Sequence, residues 1–464
     1  METIYLEQWL HNLIRKKLKE DMVFRAFMGK DHLERVTRAD IDRYQLFKLR
    51  QTIAYVSEKS AFYRELLGRT GIKADDINSL SDLSRLPFTE PIDIAKQPYK
   101  FVCVPLGEIE RATTFTSSGT TGPQKRIFFT EHDIEIMTDF MAVGIRTVAR
   151  PGDTVLIMLP NFRVNDQSDL LAKGVRKMGG QAITSGTTPT SEEQIQMVDR
   201  YHPTTLFTSV SRMWRITQET REHYDLRNKG VKTIFITSEY ASESMIKQLK
   251  DIWNCDIHVH YGLSEMGLGV AVECHAHKGF HFDEVDLLVE VVDPVTGAVL
   301  GDDQEGELVF TTLNRIAMPL LRYRTHDLSY LVGGTCPCGA VTLRKISKVT
   351  RRWESIVKLG DGSEIYPSLF DDLVFTLPEV VDYQLSLGKE NGKDKLRFKI
   401  EVIERNKTVQ QRISQLLAGY PIIRTNVTQG VMAPPEVELV ERGALVRMSR
   451  AKKMIIDERQ SVLQ

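Results

Sequence analysis

The chain has 464 residues, of which 42% are hydrophobic and 27% are charged. This length exceeds that of one ordinary domain, and the composition is typical of a globular protein with two or three hydrophobic cores. The 61 Lys and Arg residues nearly balance the 62 Asp and Glu residues, which gives a net charge of −1. We therefore expect no general electrostatic attraction to nucleic acid or to an anionic membrane.

The cysteine usage and the N-terminal segment both predict a cytoplasmic protein. The five cysteines are too few in so long a chain for a disulfide framework. The first residues lack the apolar core and cleavage site of a signal peptide, and no run approaches the roughly 18 to 20 apolar residues that span a bilayer. Neither a nucleic-acid nor a membrane partner is expected, and a homodimer is left open.

Periodicity divides the chain into helical and strand-rich parts. Residues 1 to about 100 have the spacing of helices, broken at Gly71 and Pro87. From about 110 to 260, strand-like runs such as Thr154–Leu159 and Lys232–Thr237 alternate with helical stretches such as Asp166–Met178. That alternation predicts βαβ units and a largely parallel sheet.

The later part of the chain predicts further strands and a second domain. Val285–Val292 and Gly306–Thr312 read as strands around the turn-rich segment Asp293–Gly297. The last hundred residues mix a strand, Lys395–Val402, with a helix, Thr408–Leu417. The predicted fold class is α/β, with a large multi-sheet α/β domain over residues 1–353 and a small α+β domain over residues 356–464.

A Ser/Thr/Gly-rich segment follows a strand-like run at Ala112–Phe115. Its glycines would let the backbone approach a phosphate, and its hydroxyls and N–H groups would donate to phosphate oxygens. A plain turn has the same composition, and the Walker spacing is absent. The candidate phosphate-binding residues are Thr116, Ser117, Ser118, Gly119, Thr120, Thr121, Gly122 and Lys125.

This segment resembles the first signature of the adenylate-forming superfamily, which includes acyl- and aryl-CoA ligases, adenylation domains and luciferases. Further segments are similar to the phenylacetate-CoA ligase branch and follow the family's order over residues 55 to 370. They are Phe62–Leu67, Asp82–Thr89, Tyr261–Glu265, Gly306–Phe310 and Leu321–Asp327. The resemblance implies ATP as a substrate, Mg²⁺ as a cofactor and CoA as a co-substrate.

The resemblance also assigns roles to individual residues. Glu265 matches the glutamate that holds Mg²⁺, a hard ion suited to carboxylate oxygens, and Ser264 matches the hydroxyl at the α-phosphate. Asp327 matches the aspartate that accepts from the ribose hydroxyls, and His326 beside it reads as a tolerated loop residue rather than a base. The remaining residues expected to contact nucleotide are Ser238, Glu239 and Tyr240 around the adenine, with Tyr261 and Gly262.

Cysteine and histidine spacing indicates a separate metal site. Cys274 with His281, and Cys336 with Cys338, would supply four ligands for tetrahedral Zn²⁺. His275 and His277 are rival ligands, and buried thiols without metal are the competing interpretation. Three thiolates would make such a site structural rather than catalytic.

The C-terminal motifs depart from the family pattern. Arg352 keeps the residue expected to reach the ribose or α-phosphate, but Ser355 stands where relatives have a hinge Asp, unless Glu354 substitutes for it. The resemblance implies that the small domain is mobile and rotates at this hinge. The catalytic lysine of the family corresponds to Lys452 with a small shift, since direct alignment places Arg450 there and Lys453 adjoins it.

The predicted function is ATP-dependent activation of a carboxylic acid, aromatic by resemblance, to an acyl-adenylate, with transfer to CoA. The catalytic candidates are Glu265, Arg352 and Lys452. One alternative keeps adenylation and passes the acyl group to an amine, a carrier protein or another acceptor. A second alternative is a nucleotide-binding relative without catalysis.

Overall fold

A computed structural model describes residues 4–116, 124–187, 189–445 and 454–459. The N-terminal region is helical, as its periodicity predicts. The first helix buries one apolar stripe, Leu6, Leu10, Ile14 and Leu18, because these residues recur every fourth position. The helices here are α1 (Tyr5–Glu20), α2 (Met22–Met28), α3 (Arg38–Lys59), α4 (Ala61–Thr70) and α5 (Pro91–Lys96).

Strands and helices alternate in the next part of the chain. In chain order they are β1 (Arg111–Thr116), β2 (Gln124–Phe129), α6 (Glu131–Ile145), β3 (Thr154–Ile157), α7 (Gln167–Met178), β4 (Gln181–Thr184), α8 (Ser191–Tyr201), β5 (Thr205–Ser209), α9 (Val210–Thr220), β6 (Thr233–Thr237), α10 (Glu243–Trp253) and β7 (Asp256–Tyr261). The strands β1 and β2 pair as an antiparallel hairpin, whereas β4, β3, β5, β6 and β7 pair in parallel.

Short antiparallel strands then extend the large sheet and build a second one. They are β8 (Ala271–Glu273), β9 (Phe280–Phe282), β10 (Leu287–Val292), β11 (Gly306–Thr312), β12 (Tyr323–Ser329), β13 (Lys345–Ile346) and β14 (Arg351–Arg352). Within the described residues the large sheet has the order β13-β9-β8-β7-β6-β5-β3-β4, and the second sheet has the order β10-β11-β12-β14. The second sheet ends at the hinge, because β14 is followed by the single 3₁₀ turn Trp353–Ser355.

The C-terminal unit is a smaller mixed sheet with helices. Its elements are β15 (Val357–Lys358), β16 (Glu364–Ile365), α11 (Pro367–Val374), β17 (Val380–Glu390), β18 (Lys393–Val402), α12 (Lys407–Gly419), α13 (Pro421–Thr428), β19 (Glu436–Val440) and β20 (Ile455–Asp457). The sheet order in the described part is β19-β18-β17-β20. This unit packs on α9, where the Trp214 indole stacks edge-on against Phe375 and donates to the Val380 carbonyl at 2.8 Å. Arg215 pairs with the buried carboxylate of Glu401 across the same contact.

The predicted fold class is confirmed: a large N-terminal α/β domain with several sheets is followed by a smaller C-terminal α+β domain. The predicted elements appear with ends that differ by a few residues, since Thr154–Leu159 ends at Ile157 and Val285–Val292 begins at Leu287. None of the helices in the described ranges is long and apolar enough to cross a bilayer.

Candidate active site

A buried polar group joins the starts of β2 and β12 to the turn after β7. Glu265 lies in the 3₁₀ turn Ser264–Met266, forms an ion pair with Lys125 and accepts a hydrogen bond from the Tyr323 hydroxyl at 2.6 Å. Lys125 Nζ also lies 3.1 Å from the Tyr323 oxygen. Burial disfavours the charged carboxylate, but the adjacent Lys125 ammonium outweighs burial and lowers the pKa of Glu265. The group therefore presents an ionised, cation-paired carboxylate in the interior.

The segment between β7 and Glu265 requires a glycine at position 262. A Cβ atom at Gly262 would lie 2.2 Å from the Leu268 carbonyl oxygen, a distance that no side chain tolerates. The close approach folds the segment back on itself directly after Tyr261, the last residue of β7. Tyr261 and Glu265 are thereby fixed on either side of one tight turn, with Ser264 partly buried between them.

A second charged group surrounds Asp327 in the middle of β12. Its carboxylate accepts from the Tyr261 hydroxyl at 2.6 Å and forms an ion pair with Arg352, whose Nε lies 2.8 Å from Oδ1. Asp327 and Arg352 are also Cα partners in the β12–β14 ladder, and the Arg352 guanidinium donates to the Thr325 carbonyl. Sheet pairing brings together Asp327 and Arg352, and a hydrogen bond from the neighbouring sheet adds Tyr261, so three residues that the sequence assigns to the nucleotide lie in contact.

These residues line a cavity at the carboxyl ends of β6 and β7, the edge where open α/β sheets bind ligands. The predicted residues that line it are Ser238, Glu239, Tyr240, Tyr261, Gly262, Asp327 and Arg352. Ser238 follows β6 in a left-handed conformation with φ of 78°. The cavity also reaches the C-terminal domain, because Ser368 and Asp382 belong to its walls.

The residues predicted around the adenine contact protein groups on both domains. Glu239 accepts a hydrogen bond from the Ser211 hydroxyl at 2.9 Å. The Tyr240 hydroxyl donates to Asp372 in α11 at 3.0 Å, so this side chain links the large domain to the small one. This cross-domain contact was not anticipated, since the sequence gives no sign of which face of α11 meets β6.

A smaller apolar cavity lies behind the first. Its walls include Phe140, Phe207, Phe235 and Leu268, and the two cavities share His260. Burial lowers the pKa of His260 to about 4, so the ring is neutral at pH 7. His260 Nδ1 lies 3.0 Å from the Thr237 hydroxyl. The second cavity is therefore walled mainly by aromatic and aliphatic side chains, and its polar groups are the Gln167 amide and an uncharged imidazole.

The hinge carries an ion pair that the sequence did not indicate. His326 was predicted to lie in a loop, but it lies inside β12 with φ of 61°, where the register against β11 shifts, and the Glu307 carboxylate accepts its backbone N–H. Its Nδ1 lies 2.5 Å from the Glu354 carboxylate and its Nε2 lies 3.8 Å from Glu90. Ser355 donates to the Arg352 carbonyl at 2.9 Å. The Glu354 carboxylate therefore contacts β12, and whether it replaces the hinge Asp stays a prediction.

Stability should depend on pH through this ion pair. Burial opposes protonation, but hydrogen bonding to Glu354 and Glu90 outweighs it and raises the pKa of His326 to about 9. Because the folded-state pKa is above the unfolded value near 6.5, the stabilisation is complete below about pH 6.5 and is lost as pH rises through about 9. We expect His326→Gln to destabilise the protein by about 1 kcal/mol at pH 6 and by little at pH 9.5. Denaturant unfolding at the two pH values measures the difference.

The exposed His132 offers a matched control for this prediction. His132→Gln should leave stability unchanged at both pH values. An equal destabilisation by His326→Gln at pH 6 and pH 9.5 would contradict the ionic role of the ring.

The predicted cysteine and histidine ligands come together at the edge of the large sheet. The donor atoms of Cys274, His281, Cys336 and Cys338 all lie within 4.8 Å of one another, and all four residues are buried. Cys274 and Cys336 Sγ atoms are 3.6 Å apart, and Cys338 Sγ is 3.4 Å from His281 Nε2. Tetrahedral ligand atoms that each lie about 2.3 Å from one ion would be about 3.8 Å from one another, so the observed spacing fits a single ion.

Neighbouring groups orient the imidazole and lower the pKa of a thiol in this cluster. His281 Nδ1 lies 3.0 Å from the Arg344 carbonyl, which fixes the ring with Nε2 facing the thiols. Hydrogen bonding from Cys338 lowers the pKa of the Cys274 thiol. Among the rival ligands, His277 faces away from the cluster toward Glu273 and Asp256. The choice of His281 is therefore supported by the geometry.

Several predicted residues lie outside the described part of the chain. They are Ser117, Ser118, Gly119, Thr120, Thr121, Gly122 and Lys452, with Arg450 and Lys453. The described residues place Thr116 at the end of β1 and Lys125 in β2, on either side of the phosphate-loop segment. Tyr323 lies in the motif Leu321–Asp327, but the sequence does not predict its hydrogen bond to Glu265. A tyrosine at the start of a strand gives no local indication of the group that its hydroxyl contacts.

The fold and the cavity define an α/β nucleotide-binding enzyme with a second, C-terminal domain at the mouth of its site. Residues 51–315 match the model of the AMP-binding enzyme family, and residues 362–459 match that of the AMP-binding enzyme C-terminal domain. The chain belongs to the AMP-binding enzyme family.

Similar proteins agree with this assignment. The chain is 32% identical over 394 residues to a phenylacetate-coenzyme A ligase of Thermus thermophilus, covering 81% of this chain and 85% of that protein. It is 30% identical over 434 residues to the phenylacetate-coenzyme A ligase of Aromatoleum evansii, covering 92% and 96%. The crystal structure of 2-hydroxyisobutyryl-CoA ligase with 2-HIB-AMP has a TM-score of 0.78 at 22% identity, covering 92% of this chain and 91% of that one.

Proposed function

We propose that this enzyme activates a carboxylic acid with ATP and transfers the acyl group to CoA. A carboxylate oxygen of the acid attacks the α-phosphorus, the α–β phosphoanhydride bond breaks, and pyrophosphate leaves. The CoA thiol then attacks the acyl carbon, loses its proton to solvent, and AMP leaves as the thioester forms. The observation that carries the proposal is the convergence of Asp327, Arg352 and Tyr261 on the cavity where β6 and β7 end.

Each charged side chain of the site has a proposed role in forming the acyl-adenylate. Asp327 accepts hydrogen bonds from the ribose hydroxyls, and Arg352 beside it neutralises charge on the α-phosphate. Glu265 would hold Mg²⁺, which supplies charge neutralisation for the phosphate oxygens when bound. The buried carboxylate suits that role because it is ionised, and its oxygens already attract one cation, the Lys125 ammonium. The acid needs no general base, since its carboxylate is ionised near pH 7.

We propose that the acid is apolar and most favourably aromatic. The smaller cavity is walled by Phe140, Phe207 and Phe235 and adjoins the nucleotide cavity through His260, which is neutral at pH 7. A charged acyl chain would lose its hydration there without a partner of opposite charge, because the Gln167 amide is the polar group that the wall adds to His260. The names of the phenylacetate-coenzyme A ligase relatives also favour an aromatic acid.

Zn²⁺ is proposed as a structural ion held by Cys274, His281, Cys336 and Cys338. A set of three thiols and one imidazole leaves no position for substrate, and none of these four residues lines the cavity. Lys452 remains the predicted catalytic lysine of the family. The domain ranges 1–353 and 356–464 and the cytoplasmic location likewise remain predictions, and a homodimer remains open.

Acid-dependent exchange of labelled pyrophosphate into ATP tests the proposal. A panel of aryl, aliphatic and dicarboxylic acids is compared, and CoA is then added to the active combinations while thioester is followed by mass spectrometry. We expect exchange and thioester formation with an aromatic acid. Exchange without thioester would favour an amine or carrier-protein acceptor, and no exchange with any acid would favour the non-catalytic alternative.

Asp327→Asn should weaken ATP binding selectively. Loss of a charged acceptor for two hydroxyls costs about 1.5–3 kcal/mol, so we expect the KM for ATP to rise roughly 10- to 100-fold with a smaller change in kcat. Tyr261→Phe keeps the carboxylate and should raise the KM less. An Asp327→Asn enzyme with an unchanged KM for ATP and unchanged thermal stability would exclude contact between Asp327 and the nucleotide.

A further inference from the structure

Another group of metal-ligating side chains lies at the opposite end of β7 from Tyr261. Asp256 and His258 come from the start of β7, and His277 comes from the segment between β8 and β9. One donor atom from each lies within 4.8 Å of the others. None of these residues belongs to the four-ligand cluster or lines the nucleotide cavity.

The two imidazoles converge on a single carboxylate oxygen. His258 Nε2 is 3.1 Å and His277 Nε2 is 3.3 Å from Asp256 Oδ2, and the ring centroids are 4.6 Å apart. Ligands that share one ion at 2.0–2.1 Å in tetrahedral geometry stand about 3.3 Å apart. The two Nε2–Oδ2 separations therefore match the distance between ligands of one ion, and all three donor atoms lie within 4.8 Å of one another.

A carboxylate behind His277 completes the arrangement. Glu273 Oε2 lies 3.3 Å from His277 Nδ1 and accepts the backbone N–H of Val259 in β7 at 3.0 Å. Metal-binding histidines commonly donate their other N–H to such a carboxylate, which fixes the tautomer and directs the free nitrogen at the ion. Glu273 is buried, so it holds this position firmly.

The site is open to solvent on one side. The His258 side chain is 5% exposed, whereas those of Asp256 and His277 are 41% and 35% exposed. An ion can enter from this side, and water can fill the positions that protein leaves open. Lys250 Nζ contacts the other oxygen of Asp256 at 2.9 Å and leaves Oδ2 to the imidazoles.

We propose that Asp256, His258 and His277 bind a Zn²⁺ ion distinct from the one assigned to the cysteine cluster. Two imidazoles and one carboxylate are ligands that suit Zn²⁺, with the remaining position taken by water. The ion would tie the start of β7 to the segment that leads from Cys274 to His281. The inference does not depend on the acid, on CoA or on occupancy of the cysteine cluster.

The competing arrangement is a hydrogen-bonded network without metal. His277 lies between the carboxylates of Glu273 and Asp256, and hydrogen bonding to Glu273 raises its pKa. A protonated His277 would satisfy both carboxylates and exclude an ion. The two arrangements differ in the protonation of His277 and in metal content, so they can be separated by experiment.

Metal content and cobalt spectroscopy of the full-length protein provide the test. Protein saturated with Zn²⁺ and desalted should hold one more Zn²⁺ per chain than His277→Ala or Asp256→Asn protein treated identically. His275→Ala, on the same segment, serves as the matched control and should keep the wild-type content. Because His277 is partly exposed, its replacement should leave the circular dichroism spectrum unchanged.

Cobalt distinguishes the two sites by their ligands. Co²⁺ bound by thiolates gives sulfur-to-metal charge-transfer absorption, whereas Co²⁺ bound by imidazole and carboxylate gives only weak visible bands. We expect His277→Ala to remove weak visible absorption and keep the charge-transfer bands. Equal Zn²⁺ content in wild type and His277→Ala, or a His277 ring that remains protonated at saturating Zn²⁺ by NMR, would overturn the proposal, whatever the cysteine cluster binds.

Discussion

Glu265→Gln should lower acid-dependent pyrophosphate exchange by about 10²- to 10³-fold. The change keeps the size of the side chain but removes the charge that balances Lys125 and that would hold Mg²⁺. A neutral amide at this buried position also leaves the Lys125 ammonium without its counter-charge. The rate of exchange at saturating ATP and acid is the measurement, with Mg²⁺ varied to show whether more metal restores part of the rate.

Glu284→Gln separates this effect from a general loss of stability. Glu284 is also buried and also pairs with a cation, Arg38, but it lies between the N-terminal helices and β13 rather than at the cavity. Because Glu284 does not belong to the Lys125–Glu265–Tyr323 group, we expect its replacement to lower thermal stability while the folded enzyme keeps near-normal exchange. Full exchange by Glu265→Gln enzyme would refute the assigned role.

Cys336→Ser should cause a large loss of stability if the cysteine cluster holds Zn²⁺ as proposed. Removing one thiolate weakens Zn²⁺ binding, and the folding free energy that the ion contributes is lost with it. The cluster holds β8 and β9 against the segment after Cys338, where Thr342 contacts Glu7 and His11 of α1. We expect a fall in melting temperature on the order of 5 °C or more, with loss of one Zn²⁺ per chain.

Cys103→Ser provides the comparison for this change. The Cys103 thiol donates to the Phe101 carbonyl, a contact that a serine hydroxyl can keep, and it lies outside the cluster. This variant should keep its metal and its melting temperature. A Cys336→Ser protein with unchanged Zn²⁺ content would show that the cysteines are buried thiols without metal.

The helices and strands of this chain can be predicted from its sequence to within a few residues, because they depend on local periodicity. The run before Tyr261 predicts a strand, and the residues after it predict the turn that carries Glu265, as the structure has them. The cysteine cluster was also predictable in part, since the Cys-x-Cys spacing restricts its geometry. Family resemblance, rather than periodicity, supplied the roles of Asp327 and Arg352.

Side-chain contacts between distant helices and strands could not be predicted from the sequence. Lys125 and Glu265 are separated by 140 positions, and their contact depends on how the β1–β2 hairpin meets the turn after β7. His326 meets Glu354 only because β12 pairs with β14 in one register. Asp256 and His277 converge because β8 folds back on β7. Such contacts follow from sheet order and register, which a single sequence does not specify.

The packing of Trp214 against Phe375 has a consequence for the thermodynamics of turnover. A rotation of the C-terminal domain at the hinge, as the family resemblance implies, must separate this aromatic contact and break the Arg215–Glu401 ion pair. Exposure of apolar surface raises heat capacity. We therefore expect the rate of thioester formation to give a curved Eyring plot when domain rotation limits it, and Trp214→Ala to reduce that curvature.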